Sequence, residues 1–271
     1  MLHDSGLPYE VDISTPSVAR MYDYLLDGRN HYPADRRACA DLLRQVPSMK
    51  ALALNNRQFL RRAVRALARD HGIRQFIDHG SGLPTQDNVH EVAQRVDPGC
   101  RVVYVDNDPI VWNIGGALLE RDRNSAVLQA DMRDTARIFD SRQVRGLIDL
   151  NRPVAALFVS VLHCIPDEDG PGALVEEVAS RLPDGSFLVI CQLVSDNPGL
   201  REFVTEFMDV QTRGRWGRVR EKRDVRAYFA SLEVEPPGLV EVSRWRPGAG
   251  AGPVQETFEW EEYGGVGRIT R

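Results

Sequence analysis

Gln75-Phe76-Ile77-Asp78-His79-Gly80-Ser81-Gly82-Leu83-Pro84-Thr85-Gln86 reads as a short buried strand that runs into a glycine turn and then a helix. Phe76 and Ile77 supply apolar, β-favouring side chains, Gly80 and Gly82 free the backbone for a tight turn close to a ligand, and Pro84 suits the first position of a helix. A second mark follows at Arg101-Val102-Val103-Tyr104-Val105-Asp106, another buried strand that ends on a carboxylate. Asp106 lies 24 residues after Gly82, close to the ~20-residue offset at which an acid meets ribose hydroxyls. Together the two marks predict a site for a nucleotide-like cofactor.

Charge narrows the choice. A dinucleotide fingerprint needs a third glycine where this chain has Thr85, and Asp78 at the strand end would repel a pyrophosphate. S-adenosylmethionine carries no phosphate, and its ammonium and sulfonium are attracted by a carboxylate. The expected cofactor is therefore S-adenosyl-L-methionine, with a nicotinamide-dependent oxidoreductase as the rival.

Working outward, the pattern from Gln75 onward alternates strand and helix, which predicts a mostly parallel sheet covered on both faces. Strands are expected at 101–105, 125–130, 154–161, 186–193 and 238–244. Helices are expected at 86–96, 109–121, 134–147, 171–182, 198–210 and 222–231. Residues 14–70 read as three helices: one after a Thr15-Pro16 cap and stopped by Gly28, one from Pro33, and one from about Ser48 to Asp70. In the third, Leu52, Phe59, Leu60, Val64 and Leu67 form the apolar face, and Arg57, Arg61, Arg62, Arg65 and Arg69 read as a solvated one. The expected division is an N-terminal helical cap or substrate-side extension over 1–72 and a Rossmann-like cofactor domain over 73–271.

The order Asp78-x-Gly80-x-Gly82 resembles the first motif of class I S-adenosylmethionine-dependent methyltransferases, Asp106 their ribose-binding acid, and Ala130-Asp131-Met132 the segment that holds adenine. The run from Ser17 to Asn30, SVARMYDYLLDGRN, resembles the opening signature of the bacterial S-adenosyl methyltransferase family. Gly80 to Thr85, Val103 to Pro109 and Tyr263-Gly264-Gly265-Val266-Gly267-Arg268 resemble its other blocks. That resemblance covers nearly the whole chain. It implies an α/β class I methyltransferase sheet, mostly parallel with an antiparallel last strand formed by the tail around Thr257-Phe258-Glu259-Trp260 and the glycine block, plus an N-terminal helical extension. It does not name a substrate, because a fold does not fix function.

The residues that follow each strand are the candidate site. Asp78 would face the methionine ammonium, and the backbone of Gly80, Ser81 and Gly82 would line the methionyl part. Asp106 would accept from the ribose hydroxyls with Asn107 beside the adenine, while Asp131 would accept the adenine amino group and Met132 pack on the ring. Structural readings compete with each: a helix-capping Asp78, a turn Asp106, a first-turn Asp131. Ser160-Val161-Leu162-His163-Cys164-Ile165-Pro166-Asp167 resembles a block of small-molecule methyltransferases, which places Ser160 at the cofactor and makes His163 the candidate base. A histidine that is hydrogen-bonded under the cofactor is the other reading of His163. On the substrate side Tyr22, Asn30, His31 and Trp216 are the candidates. The basic cluster 212–223 reads first as a solvated, mobile loop, then as a contact for an acidic small molecule, and last as an RNA contact.

Composition excludes some classes. The net charge of -5 argues against a general polyanion binder, and the motifs of DNA-base methyltransferases are missing, so nucleic acid is disfavoured as a partner. No secretory signal or ~20-residue apolar run is read in the sequence, so no membrane partner and a cytoplasmic location are expected. The four cysteines and six histidines show no metal-ligand spacing, so no metal is expected. The expected function is methyl transfer from S-adenosyl-L-methionine to an oxygen or nitrogen of a small-molecule acceptor. The alternative is a non-catalytic sensor or scaffold that binds the cofactor.

Overall fold

The computed structural model describes residues 12–85, 87–248, 252–253, 255 and 259–271. The chain begins with three helices, α1 (Val18–Leu25), α2 (Pro33–Gln45) and α3 (Met49–Asp70). Then come β1 (Gln75–His79), α4 (Val89–Gln94), β2 (Arg101–Asp106), α5 (Pro109–Leu118), β3 (Ser125–Gln129), α6 (Thr135–Asp140), α7 (Arg142–Leu147) and β4 (Ala155–Val159). The chain closes with α8 (Pro171–Arg181), β5 (Phe187–Val194), α9 (Pro198–Thr212), α10 (Lys222–Ala227), β6 (Glu233–Val234), β7 (Val240–Glu241) and β8 (Glu261–Arg268). The strands form one sheet in the order β3-β2-β1-β4-β5-β8-β6, with β7 also paired to β8. Strands β1 to β5 pair parallel, and β8 runs antiparallel to β5 from Val194↔Glu261 to Phe187↔Arg268.

The strands at the centre of the parallel sheet are buried because both of their faces are covered. All five residues of β1 and all eight of β5 are buried. One face packs on α3, where Phe59, Leu60, Ala63, Val64 and Leu67 share a core with Phe76, Tyr104, Val189 and Trp245. The other face carries Ile77, Val103, Phe158, Leu188 and Ile190 against Ile138, Leu174 and Val178. A third cluster joins α1 and α2 to α9 through Met21, Leu25, Leu42, Val204, Met208 and Trp216.

Several element ends differ from the sequence expectation, for local reasons. The first helix begins at Ser17 rather than Thr15, because the Asp12 carboxylate already accepts from the Ser14 and Thr15 N–H groups at 2.9 and 3.1 Å. It ends at Leu25, and the left-handed residue after it is Asp27 (φ 57°) rather than Gly28. Gly28 is required for space: a Cβ there would lie 2.1 Å from Asp23 Oδ1. The helix expected at 86–96 starts at Val89, where Asn88 caps and its own N–H donates to Glu91 Oε2 at 2.7 Å. Pro84 therefore sits in the loop, not at a helix start. The helix expected over 134–147 is two, since Ser141 ends α6 and its Oγ caps α7 through Val144 N–H. The strand expected at 154–161 stops at Val159, before Ser160 turns to φ 56°. Only Val240–Glu241 of the expected 238–244 strand pairs, and Val242–Arg244 coils into a 3-10 turn capped by the Glu241 side chain. In the tail, Thr257 and Phe258 lie outside the described residues, and the strand starts after Trp260, whose Nε1 donates to Ser48 Oγ at 2.8 Å.

Candidate active site

In the sheet order the chain leaves β1 towards β2 and β3, then returns to pair β4 on the other side of β1. Ligands bind beyond the strand ends at such a switch point. Here a cavity of about 620 Å³ opens, floored by Asp78 and residues 80 to 82, 105 to 109, 130 to 133, 159 to 161 and 163 to 166, and roofed by segment 16–22. Asn56, Arg57 and Leu60 of α3, Val204 and Met208 of α9, and Trp216, Trp260 and Glu262 complete the wall.

The glycine loop is built by its own hydrogen bonds. Gly80 and Ser81 N–H both donate to Val105 O, at 2.8 and 3.2 Å, and Gly82 N–H donates to Asp106 Oδ2 at 2.8 Å. These amides therefore shape the loop, and what they present to the cavity is backbone surface rather than free donors. Gly80 is needed twice over, for a φ of 69° and because a Cβ would meet Val161 Cγ2 at 2.3 Å. Asp106 also accepts Asp108 N–H on Oδ1 at 2.9 Å. Burial drives its carboxyl up to about 6 against the pull of these amide bonds.

Asp78 is more exposed electrostatically. It is buried, no hydrogen bond to its carboxylate exists among the described residues, and burial raises it to about 7, opposed by the Arg57 guanidinium and reinforced by Asp106. Asn107 is solvent-exposed at the rim, and Met132 packs beside Gly80. Asp131 also lines the cavity, but Arg133 grips its carboxylate with Nε at 2.9 Å and Nη2 at 2.5 Å and holds it below the usual carboxylate range. Ser160 N–H donates to Cys191 O at 2.9 Å and its Oγ donates to Glu262 Oε1 at 2.6 Å.

His163 lies in the 3-10 turn Leu162–Cys164, on the cavity wall, with its ring 4.8 Å from that of Trp216. Its Nδ1 accepts from Leu193 N–H at 3.4 Å. Burial and the Arg220 guanidinium push it down to about 3, so it stays a neutral imidazole with little appetite for a proton. Tyr22 also lines the cavity, its hydroxyl donating to Ala53 O at 3.1 Å and accepting from Asn56 Nδ2 at 2.9 Å. Asn30 and His31 are placed elsewhere. Asn30 N–H donates to Asp23 Oδ2 at 2.8 Å and His31 Nδ1 lies 3.1 Å from the same oxygen, so both fold around a buried aspartate behind the cavity wall.

The basic cluster 212–223 is solvated only in part, at Arg213, Arg215 and Arg223. Arg220 is 1% exposed and donates to Leu162 O at 2.8 Å, Ile165 O at 2.7 Å and Asp167 Oδ1 at 2.8 Å, so it clamps the turn that carries His163. Arg218 pairs with the other oxygen of Asp167 at 2.6 Å. The arginines of α3 are likewise not one solvated face. Arg62 donates to Trp245 O and Val242 O at 2.8 and 2.6 Å, and Arg57 reaches Asn88 Oδ1 at 3.1 Å while lining the cavity.

Comparison with known proteins agrees with this geometry. The family model described as S-adenosyl methyltransferase matches residues 4–270. The chain belongs to the S-adenosyl methyltransferase family. A DUF574-family protein from Streptomyces avermitilis has a solved structure that this methyltransferase matches at 35% identity and a TM-score of 0.86, over 95% of this chain and 99% of that one. A Thermobifida fusca protein described as a candidate methyltransferase matches at 37% identity and 0.86, over 96% and 97%. An O-methyltransferase family protein from Burkholderia thailandensis shares the fold at 15% identity and 0.50, over 87% and 62%. None of the curated proteins compared with the chain matches it. The protein is thus an S-adenosyl-L-methionine-dependent methyltransferase of class I fold. Among the described residues no helix is long and apolar enough to cross a membrane.

The residues of this chain fit that cofactor. Two buried carboxylates stand at adjacent strand ends, the loop between them tolerates no side chain at Gly80, and the cavity falls within the ~300–1,000 Å³ of small-molecule sites. Three wall residues escaped the sequence reading. Asn56 falls in phase with the apolar stripe Leu52, Phe59, Leu60, and a polar residue inside such a stripe is a signal. Arg57 is one of five arginines on its helix and Glu262 one of two adjacent acids, so neither stands out.

Proposed function

We propose that this methyltransferase modifies an oxygen or nitrogen of a small molecule held in the recess between Tyr22, His163, Trp216 and Glu262. In this reading Asp78 pairs with the ammonium of S-adenosylmethionine, with Arg57 beside it to meet the carboxylate. Asp106 accepts the ribose hydroxyls on the lone pairs its amide bonds leave over, and Asn107, Asp131 and Met132 border the adenine. When bound, the cofactor supplies a methyl group on a sulfonium, and the electron pair of the broken C–S bond stays on sulfur. The protein's own part is positioning and exclusion of water. Segment 16–22 roofs the cavity, and the bond from Ser17 Oγ to Asp108 Oδ2 at 2.9 Å ties that roof to the loop after β2.

The observation that carries this reading is that one continuous cavity contains both the cofactor-type strand ends and an apolar recess lined by Met21, Leu25, Met208 and Trp216. A site for a macromolecular acceptor would present an open, charged face instead. Calorimetry with S-adenosylhomocysteine, followed by a metabolite-extract screen with methyl-labelled cofactor, tests it. Binding with label transferred to a low-molecular-weight product is expected, and absence of binding by the wild-type protein would overturn it. The second reading, a cofactor-binding sensor without turnover, is favoured by one observation: His163 is too weak a base to draw a proton at neutral pH. Under that reading the cofactor binds and no extract yields a labelled product.

A further inference from the structure

Glu262 is a buried wall acid with little compensation. It is 4% exposed, it lies on β8 opposite Leu193 of β5, and it lines the cavity. One oxygen, Oε1, accepts from Ser160 Oγ at 2.6 Å, and the other, Oε2, is buried with no hydrogen-bond partner. The Cys191 thiol beside it directs its single proton to Asn56 Oδ1 at 3.1 Å and also lies close enough to Glu262 to pull that carboxyl down. No ion pair to Glu262 exists among the described residues. The cavity cations are engaged elsewhere: Arg20 with Asp35, Arg133 with Asp131 and Asp169, Arg57 with Asp87 O and Asn88 Oδ1, and Arg215 with Thr212 O. A buried acid that lacks a partner inside the protein is costly, and a ligand that brings a cation or a donor relieves that cost.

The neighbours of Glu262 are neutral or acidic on every side. Tyr22 on α1, Cys164 after β4 and Cys191 on β5 all titrate above their ordinary values through burial, Cys164 at about 12. Glu241 on β7 is the remaining charged group near it. Burial, opposed by the Ser160 hydroxyl and the Cys191 thiol and reinforced slightly by Glu241, lifts Glu262 to about 7. An acceptor hydroxyl that had to become an oxyanion here would meet repulsion from Glu262, whereas an ammonium meets attraction.

We propose that Glu262 is the acceptor-binding carboxylate of this site and that the methyl acceptor is an amine. This rests on the cofactor reading above. The acceptor enters as an ammonium and pairs with the carboxylate. Its proton passes to Glu262, which frees the nitrogen lone pair to take the methyl carbon, and the methylated nitrogen then carries the positive charge the sulfonium has lost. Ser160, held at a φ of 56° where the strand breaks, is the positioning residue that fixes the carboxylate's orientation.

The test titrates the S-adenosylhomocysteine complex with 2-phenylethylamine and 4-phenylbutylamine, each against its matched alcohol, by calorimetry near neutral pH in two buffers of different ionisation enthalpy. At least one amine should bind about tenfold or more tighter than its alcohol, and its binding should release protons as Glu262 ionises. In Glu262→Gln the amine preference and the proton release should vanish while S-adenosylhomocysteine affinity stays within about twofold. Equal binding of amines and alcohols to the wild-type complex, or no binding of either, overturns the proposal without reliance on any variant. A preference that survives in Glu262→Gln overturns it as well. Failure of S-adenosylhomocysteine to bind the wild-type protein is a separate outcome that removes the cofactor reading first, and this inference with it.

Discussion

The segment from Ser17 to Asp35 and the loops at the C-terminal strand ends are both crowded with polar side chains, and the fold uses the two sets in opposite ways. In the N-terminal segment the buried acids are answered from within. Asp35 takes Arg20 Nε on both oxygens, at 2.9 and 3.1 Å, and also the N–H groups of Ser17 and Tyr32. Asp23 takes Asn30 N–H and His31. At the strand ends the Asp78 carboxylate has no hydrogen bond among the described residues, and Glu262 has one oxygen without a partner. The lesson is that answered acids hold this molecule together and unanswered acids mark where a ligand completes it.

The comparison breaks hardest at Asp35. Asp35→Ala leaves Arg20, 2% exposed, as an uncompensated buried cation, and should cost about 3–5 kcal/mol of stability. Urea denaturation of the apo protein reads it, and a loss under about 1 kcal/mol would mean that the pair is not structural. Asp106 sits between the two classes, since it answers the Gly82 and Asp108 amides yet remains raised by burial. Asp106→Ala should weaken S-adenosylhomocysteine binding more than about tenfold through lost charge-assisted bonds of ~1.5–3 kcal/mol each, with Asp106→Asn in between. The tethers to Gly82 and Asp108 mean that its loss also loosens the glycine loop, so the effect is read by calorimetry beside a thermal melt. Unchanged affinity in the folded variant would misplace the ribose.

The fold was legible because its signals are local. Period, strand ends and the glycine turn at 80–82 are properties of short stretches, and the antiparallel last strand followed from the family resemblance of the Tyr263 to Arg268 block. The site was legible where one loop carries it, as at Asp78 and Asp106. It was not legible where distant elements meet. Glu262 enters the cavity only because β8 inserts antiparallel beside β5, and Asn56 and Arg57 enter because α3 crosses the strand ends. Asn30 and His31 read as substrate-side residues from their place in the N-terminal block, yet the turn at Asp27 folds them back onto Asp23. Arg220 shows the same limit: a cluster of arginines reads as solvated until one of them finds two carbonyls and a carboxylate inside the protein.

Asp78 separates the two regions most directly. Its folded value of about 7 lies above the ordinary carboxylate value of 3.8, so the apo protein holds this proton more tightly than the unfolded chain does. The stability that Asp78 contributes is therefore present below about pH 4 and is lost as pH rises towards 7. Cofactor pairing needs the ionised form and runs the opposite way. The deciding measurement is the S-adenosylhomocysteine dissociation constant between about pH 5 and 7.5 for the wild-type protein and for Asp78→Asn. The wild-type protein should tighten as pH rises, by up to ~tenfold per unit below 7. Asp78→Asn should bind more weakly and lose the step between about pH 6 and 7.5, leaving only the dependence below about 6 that belongs to Asp106, while its apo form melts higher near neutral pH. A variant that binds as tightly as the wild-type protein, with the same pH profile, would contradict the assignment of this unanswered carboxylate to the cofactor.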